Sequence, residues 1–406
     1  MTIASDRQEG KLAQSKSVDR RDWAKEKSRK KQIDCRYRAW LEIDLEALAH
    51  NVRNLKRFLN PDTKLMAVVK ADAYGHGAVR VAKTALDNGA ESVAIATLSE
   101  GVELRKAGIE VPILILGALN APEEIEAVAA WQLEPTICNA QQALVFDATL
   151  TEIGESLKVH LKLDTGMSRL GTNWQSATSF VQLVQGLSTL EIDSIYSHFA
   201  TADERDRTRM DLQHQRFCDA LAQLKTIGYN PSQIHLANSA ATLSDRSFHY
   251  DLVRVGLALY GLYPAPHLSQ KIDLRACLQV KAKIAQVKTI SQGEGVSYGR
   301  QFVTQKDTKV AVVGIGYADG VPRGLSNRLQ AIVRGQIVPQ IGAITMDQMM
   351  LNVDNISHLQ PGEVVTLIGC EDNITIDAED WANKLDTISW EILCGFKHRL
   401  PRIYLD

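Results

Sequence analysis

The sequence predicts an α/β protein: a (β/α)8 barrel of the TIM type followed by a mostly β C-terminal domain. Three observations carry this prediction. From Leu41 to about residue 272, short β-branched runs alternate with amphipathic stretches, the pattern of parallel strands joined by crossover helices. Eight such units fit into that span. After about residue 272, strand-like runs follow one another with Gly and Pro turns and no intervening helix. An open doubly wound sheet is the alternative for the first part, because it uses the same alternation.

Residues 1–36 are polar and mixed in charge, with a basic run over 25–31 and no apolar period, and are expected to form a flexible tail. The barrel is expected over 37–272. Its candidate strands are 64–69, 92–96, 113–116, 135–138, 159–163, 192–197, 234–236 and 252–255. Helix-like segments lie between them at 78–88, 99–107, 122–130, 174–185 and 210–226, most of them closed by a glycine such as Gly89, Gly108, Gly186 or Gly228. The second domain, 273–406, offers strands at 282–290, 309–315, 328–333, 336–341, 349–353 and 363–368. A short helix at 378–385 precedes a last segment at 392–404.

Composition narrows the function. With 406 residues, 45% hydrophobic and 23% charged, the chain is long enough for a large barrel and a smaller domain. Lys+Arg 46 against Asp+Glu 48 gives a net charge of -2, which argues against a nucleic-acid partner. The six cysteines are scattered, with no CxxC pair, and read as reduced thiols. The longest apolar stretch, 111–119, is far short of the roughly 20 residues that span a bilayer, and no apolar signal-peptide core follows Met1. A soluble cytoplasmic protein acting on a small molecule is therefore expected. No metal site is expected: there is no HExxH, and His198 has no ligand-spaced partner.

A barrel carries its site at the carboxyl ends of its strands. Lys70 follows the first candidate strand, Arg169 lies past the fifth, His198 ends the sixth, Asn238 and Ser239 follow the seventh, and Arg254 and Gly256 end the eighth. A lysine at a barrel mouth loses solvation, which lowers its pKa and makes its amine a nucleophile for Schiff-base formation. Taken alone, Lys70 reads more commonly as a lysine whose ammonium reaches water. The loops after strands seven and eight commonly hold a phosphate, through hydroxyls such as that of Ser239 and backbone such as that of Gly256, although capping and turn formation explain these residues too. A nucleophilic lysine facing a phosphate site is what pyridoxal 5'-phosphate requires.

The run Ala67-Val68-Val69-Lys70-Ala71-Asp72-Ala73-Tyr74-Gly75-His76-Gly77 resembles the cofactor-attachment motif of alanine racemases. The resemblance continues in order through Leu163 to Gly171, Ser197 to Asp203, Ala237 to Ala241, Arg254-Val255-Gly256, Gly295-Val296-Ser297-Tyr298-Gly299, Gly314 to Gly320 and Met346-Asp347-Gln348, and covers about residue 37 to the C terminus. It implies a pyridoxal-phosphate enzyme interconverting L- and D-alanine for bacterial-type wall synthesis. It further implies a head-to-tail homodimer with shared sites. Lys70 would hold the cofactor and act as acid/base on one substrate face, with Tyr298 of the partner subunit on the other. Tyr74, Asn238, Ser239 and Gly256 would hold the phosphate, and Arg254 would sit beside the pyridine nitrogen. Arg169 and the Met346 backbone N–H would hold the substrate carboxylate. His198 would orient neighbours, and Tyr317 and Asp347 look like supporting or entry positions. Lys162 matches a lysine that some members carry carbamylated to position Arg169. The sequence departs from the family in one place: His398 stands where many members have a phosphate-contacting tyrosine. Alternatives are a broader amino-acid or serine racemase, a decarboxylase on the related barrel, and a non-catalytic pyridoxal-phosphate carrier.

Overall fold

The computed structural model describes residues 37–406; the basic run and the tail expected over 1–36 lie outside the described residues. Among the described residues strand β1 (Ala39–Asp44) comes first, then the eight barrel strands: β2 (Lys64–Val68), β3 (Ser92–Ile95), β4 (Ile113–Ile115), β5 (Glu134–Ile137), β6 (Leu157–Asp164), β8 (Leu190–Tyr196), β9 (Ile234–His235) and β10 (Leu252–Val255). A two-residue strand, β7 (Thr172–Asn173), attaches to the end of β6. All neighbouring barrel strands pair in parallel, and the β10–β2 and β5–β6 pairings close the ring. The open-sheet alternative is thereby excluded.

The barrel strands form where their residues can be buried on both faces. In β2 the four residues after Lys64 are all buried, as expected for a strand between a filled barrel interior and a helical layer. Some of the helices start at side-chain caps. Asp44 accepts from the Ala47 N–H (2.8 Å) to open helix Leu45–Phe58, and Thr97 with Glu100 forms a capping box at Leu98–Lys106.

The second sheet contains β11 (Leu278–Ile290), β14 (Thr308–Val313), β15 (Gln330–Val333), β16 (Gln336–Ile341), β17 (Met349–Asn352), β18 (Val364–Glu371), β19 (Ile374–Ile376) and β20 (Arg402–Leu405). A hairpin of β12 (Gly295–Val296) and β13 (Phe302–Val303) stands apart from it. The first half of β11 alternates buried and half-buried residues, the period-two pattern of an antiparallel strand with one face on a core. A register shift between Ile284 and Gln286 bends β11, so it pairs with β18 on one side and β14 on the other and closes a ring of six antiparallel strands.

One expectation is corrected. Residues 39–44, expected at the start of the barrel, pair antiparallel with β11 and parallel with β20 and so belong to the second sheet. Trp40, Leu41 and Ile43 on this strand are wholly buried. The chain therefore threads its N-terminal strand through the β sheet before entering the barrel, a long-range pairing that no local period reveals.

Candidate active site

A cavity of about 350 Å3 opens at the carboxyl end of the barrel. Of the residues singled out from sequence, it gathers Lys70, Tyr74, Lys162, Arg169, His198, Asn238, Ser239, Arg254 and Gly256 on its walls. Tyr196, Asp203 and Trp390 also line it, and none of the three was singled out.

Lys70 sits where β2 ends and the chain changes hand. Ala71, Asp72, Ala73 and Tyr74 all have φ of 53 to 54°, a left-handed turn that costs about 1–2 kcal/mol per residue and concentrates strain beside the Lys70 amine. The turn is held by the Ala71 N–H donating to Glu100 (2.6 Å), by Asp72 accepting from the Ala78 N–H (2.8 Å), and by Arg402 of the β domain pairing with Asp72 (3.1 Å). The glycines of the motif have a packing reason: a Cβ on Gly75 would lie 2.6 Å from the Leu393 carbonyl oxygen, and one on Gly77 would overlap the Tyr404 hydroxyl. The β domain thus presses directly on the lysine loop. Burial lowers the Lys70 pKa below the usual lysine range, and the Arg169 charge lowers it further.

The opposite wall is a cradle. Ser239 Oγ accepts from the backbone N–H groups of Gly256 (3.0 Å) and Ala258 (3.4 Å), so both lone pairs are engaged and its O–H hydrogen is left to donate. A Cβ at Gly256 would lie 2.6 Å from the Tyr74 hydroxyl, so only glycine lets backbone and phenol approach here. Burial pushes the Tyr74 pKa up and keeps its phenol protonated. Asn238 has a structural task as well: its Oδ1 caps the short helix Ser239–Ser244 through the Ala241 N–H (3.0 Å).

Arg254 forms the floor. It is buried, donates to His235 Nδ1 (2.7 Å), to the Ser197 and Leu236 carbonyls (2.7 and 3.2 Å) and to His198 Nδ1 (3.2 Å), and lies 5.0 Å over the Tyr196 ring. His198 is held well below the usual histidine range, first by burial and then by Arg254. Lys162 Nζ sits 5.2 Å over the same ring, and its pKa falls to about 8, chiefly through burial and next through Arg254. Four basic side chains around one small cavity make it a receptacle for anionic groups.

Four candidates lie elsewhere, on the β domain. Tyr298, Tyr317 and Met346 are 74%, 42% and 52% exposed. Asp347 pairs with Arg399, which also reaches the buried Asp319 (3.4 Å). Their loops are tied together: Ser297 Oγ donates to the Ala343 carbonyl (2.8 Å), and the Tyr317 and Ala318 N–H groups donate to the Thr345 and Met346 carbonyls (both 3.0 Å). His398 is exposed and is not on the cavity wall.

Among the described residues, Glu134, His160 and Asp193 bring three ligand-type atoms within 4.8 Å of one another at the amino end of the barrel. There His160 bonds Glu134 (2.9 Å) and Lys158 approaches Asp193 (3.5 Å), so protein groups already partner the acids. The five cysteines within the described residues are unpaired thiols. No described helix is long and apolar enough to cross a membrane.

Comparison with known proteins identifies the family. The family model "Alanine racemase, N-terminal domain" matches residues 43–264, and "Alanine racemase, C-terminal domain" matches 277–404. Alanine racemases of Nostoc sp. and Synechocystis sp. are 61% and 60% identical to the chain, covering 90% and 91% of it and 95% and 100% of their own lengths. Among solved structures, the alanine racemase of Clostridium difficile superposes with a TM-score of 0.87 at 33% identity, covering 92% of this chain and 97% of that one. That of Bacillus anthracis gives 0.86 at 36% identity, covering 91% and 95%. With both domain models matched in order around a cavity built on Lys70, the chain belongs to the alanine racemase family.

Proposed function

We propose that the protein is a pyridoxal-5'-phosphate-dependent enzyme that interconverts L- and D-alanine, supplying D-alanine for peptidoglycan in the cytoplasm, and that it works as a homodimer with shared sites. The observation that carries this reading is one cavity that sets a desolvated lysine opposite a phosphate-sized cradle, with an arginine for its floor. The fit to the cofactor rests on the same wall: Ser239 has its hydroxyl hydrogen left for an anion, and Gly256 gives the close approach that a Cβ would fill. When bound, the cofactor draws electrons from the alanine α-carbon and acidifies its hydrogen.

The chain's own groups then divide the work. Lys70, with its pKa lowered by burial and Arg169, is suited to take a proton from one face of the α-carbon and to return one there. Tyr298 of the partner subunit faces the other side. A phenol is a poor base near neutrality and needs help. Because Arg254 donates to His198 Nδ1, the neutral imidazole carries its hydrogen on Nε2 and can donate it to a phenolate oxygen. Arg169 and, like Tyr298 from the partner subunit, the Met346 backbone N–H hold the substrate carboxylate, with Lys162 supporting the first and Asp347 the second. A guanidinium does not give up its proton, so Arg254 at the cavity floor would leave a ring nitrogen beside it unprotonated. That limits charge delocalisation and favours prompt return of the proton over side reactions.

The dimer reading rests on Tyr298, Tyr317 and Met346, three large exposed side chains on loops hydrogen-bonded to one another. Ser297 (φ 66°) and Gly299 (φ 70°) hold Tyr298 at a tight turn, so it projects from a fixed mount.

The test is incubation of the cofactor-loaded protein with L-alanine in deuterated water. D-alanine carrying α-deuterium is the expected product. L-alanine that stays unexchanged and unconverted, with the cofactor demonstrably bound to Lys70, would sink the proposal.

A further inference from the structure

A line of buried polar side chains leaves the floor of the cavity and crosses the barrel interior. Arg254 on β10 bonds His235 Nδ1 on β9 (2.7 Å), and His235 Nε2 bonds Ser194 Oγ on β8 (2.8 Å). Ser194 Oγ bonds His160 Nδ1 on β6 (2.6 Å), and His160 Nε2 bonds Glu134 Oε2 on β5 (2.9 Å). These are five consecutive strands of the ring, one link per strand. His235, Ser194, His160 and Arg254 are 0%, 0%, 1% and 3% exposed, while the Glu134 side chain, 16% exposed, looks into a separate opening at the amino end of the barrel.

With one hydrogen on each imidazole, the ends of this line fix every hydrogen in it. Arginine only donates and an ionised carboxylate only accepts. Arg254 therefore requires a lone pair on His235 Nδ1, which puts that imidazole's hydrogen on Nε2 and makes Ser194 its acceptor. Ser194 must then donate to His160 Nδ1, and His160 must carry its hydrogen on Nε2, facing Glu134. The opposite tautomers would set two donors against each other at Arg254 and leave Glu134 without its donor. Burial, followed by the nearby positive charge, holds His235 far below the usual histidine range, in keeping with one hydrogen on that ring. The His235 ring also stacks on Tyr196 (4.7 Å, 6° between planes), which fixes its plane.

We propose that Glu134, at the opposite mouth of the barrel from Lys70, is a positioning residue for the reaction, acting through His160, Ser194 and His235 to hold the Arg254 guanidinium in one orientation at the cavity floor. Hydrogen bonds aligned in one direction polarise one another, so the carboxylate strengthens the lone pair that His235 presents to Arg254. The inference rests on the functional reading above for the reaction that Arg254 serves. The hydrogen positions themselves are independent of it.

The experiment therefore reads both. Neutron diffraction on deuterated crystals of the cofactor-loaded enzyme is expected to show deuterium on Nε2 of His235 and of His160. Deuterium on Nδ1 of either ring overturns the proposal, whatever the enzyme catalyses. Kinetics then test the role. Glu134→Leu removes the acceptor and is expected to lower kcat about tenfold with KM within about twofold, whereas Glu134→Gln, which still accepts from His160, stays within about twofold of the parent. A wild-type kcat in Glu134→Leu, with the hydrogens placed as described, leaves the line purely structural and overturns the positioning role. Ser194→Ala breaks the same line at a small side chain and replaces Glu134→Leu if that variant does not fold. An inactive parent enzyme with deuterium on both Nε2 atoms would sink the racemase reading and leave the hydrogen assignment standing.

Discussion

Ser239→Ala separates the two tasks of one hydroxyl. In the folded chain Ser239 Oγ accepts from the Gly256 and Ala258 N–H groups at 3.0 and 3.4 Å, and the residue is 6% exposed. Removing it strands a well-bonded buried donor, which costs about 1–3 kcal/mol, and a weaker one at the longer distance, which adds little. A total near 2 kcal/mol, set against about 2 cal/mol/K of unfolding entropy per residue, lowers Tm of the cofactor-free protein by about 2–3 °C. The hydroxyl hydrogen is a separate matter, because it is the part that the proposed cofactor's phosphate would accept. A charge-assisted hydrogen bond is worth about 1.5–3 kcal/mol, so cofactor affinity should fall about 10- to 100-fold. Scanning calorimetry of the cofactor-free variant and absorbance titration with pyridoxal phosphate read the two effects independently. Unchanged cofactor affinity in a variant with the expected Tm loss would refute the cradle assignment, and an unchanged Tm would refute the bonding of Gly256 and Ala258.

Two further outcomes follow from the same geometry. The Lys162 pKa is lowered from 10.5 to about 8 by burial, so between those values the unfolded chain binds the extra proton and stability from this group rises with pH; below about pH 8 the full penalty applies. Lys162→Met in bicarbonate-free buffer should therefore gain about 1–3 kcal/mol more over the parent at pH 7 than at pH 10 by chemical denaturation, and a pH-independent difference would contradict the burial argument. Gly256→Ala places a Cβ 2.6 Å from the Tyr74 hydroxyl and should cost about 1–3 kcal/mol of overpacking and weaken cofactor binding in titration; wild-type affinity would mean the cradle yields without penalty.

Much of the fold was legible because the barrel writes itself locally. Strands such as β2 are short runs buried on both faces, and several crossover helices are punctuated by caps or glycines. Strand 39–44 was not legible, because its place depends on pairing with β11 and β20, more than 200 residues away in sequence. At the site, the rule that chemistry follows strand ends located Lys70, Arg254 and the Ser239 cradle. The aromatic shelf of Tyr196 was missed because its ring is packed inside the barrel like any core aromatic, and only the Arg254 and Lys162 cations over it mark its use. Glu134, His160 and Ser194 were missed for a related reason. They lie within or at the start of strands rather than past their ends, and their connection exists only once five strands stand side by side. Trp390 comes from the β domain's helix Ser389–Gly395, which reaches the cavity by packing on the Lys70 loop.

The account's central claim is that one working site needs Lys70 of one subunit and Tyr298 of the other. Mixing inactive Lys70→Ala and Tyr298→Phe proteins under conditions that exchange subunits tests it directly. Half of the resulting dimers would pair the two variants, and each of those holds one intact site and one doubly altered site, so the mixture should recover about a quarter of wild-type activity. Racemase activity that stays at the level of the separate variants, with mixed dimers shown to have formed, would place Lys70 and Tyr298 on the same subunit's site or remove Tyr298 from the chemistry altogether.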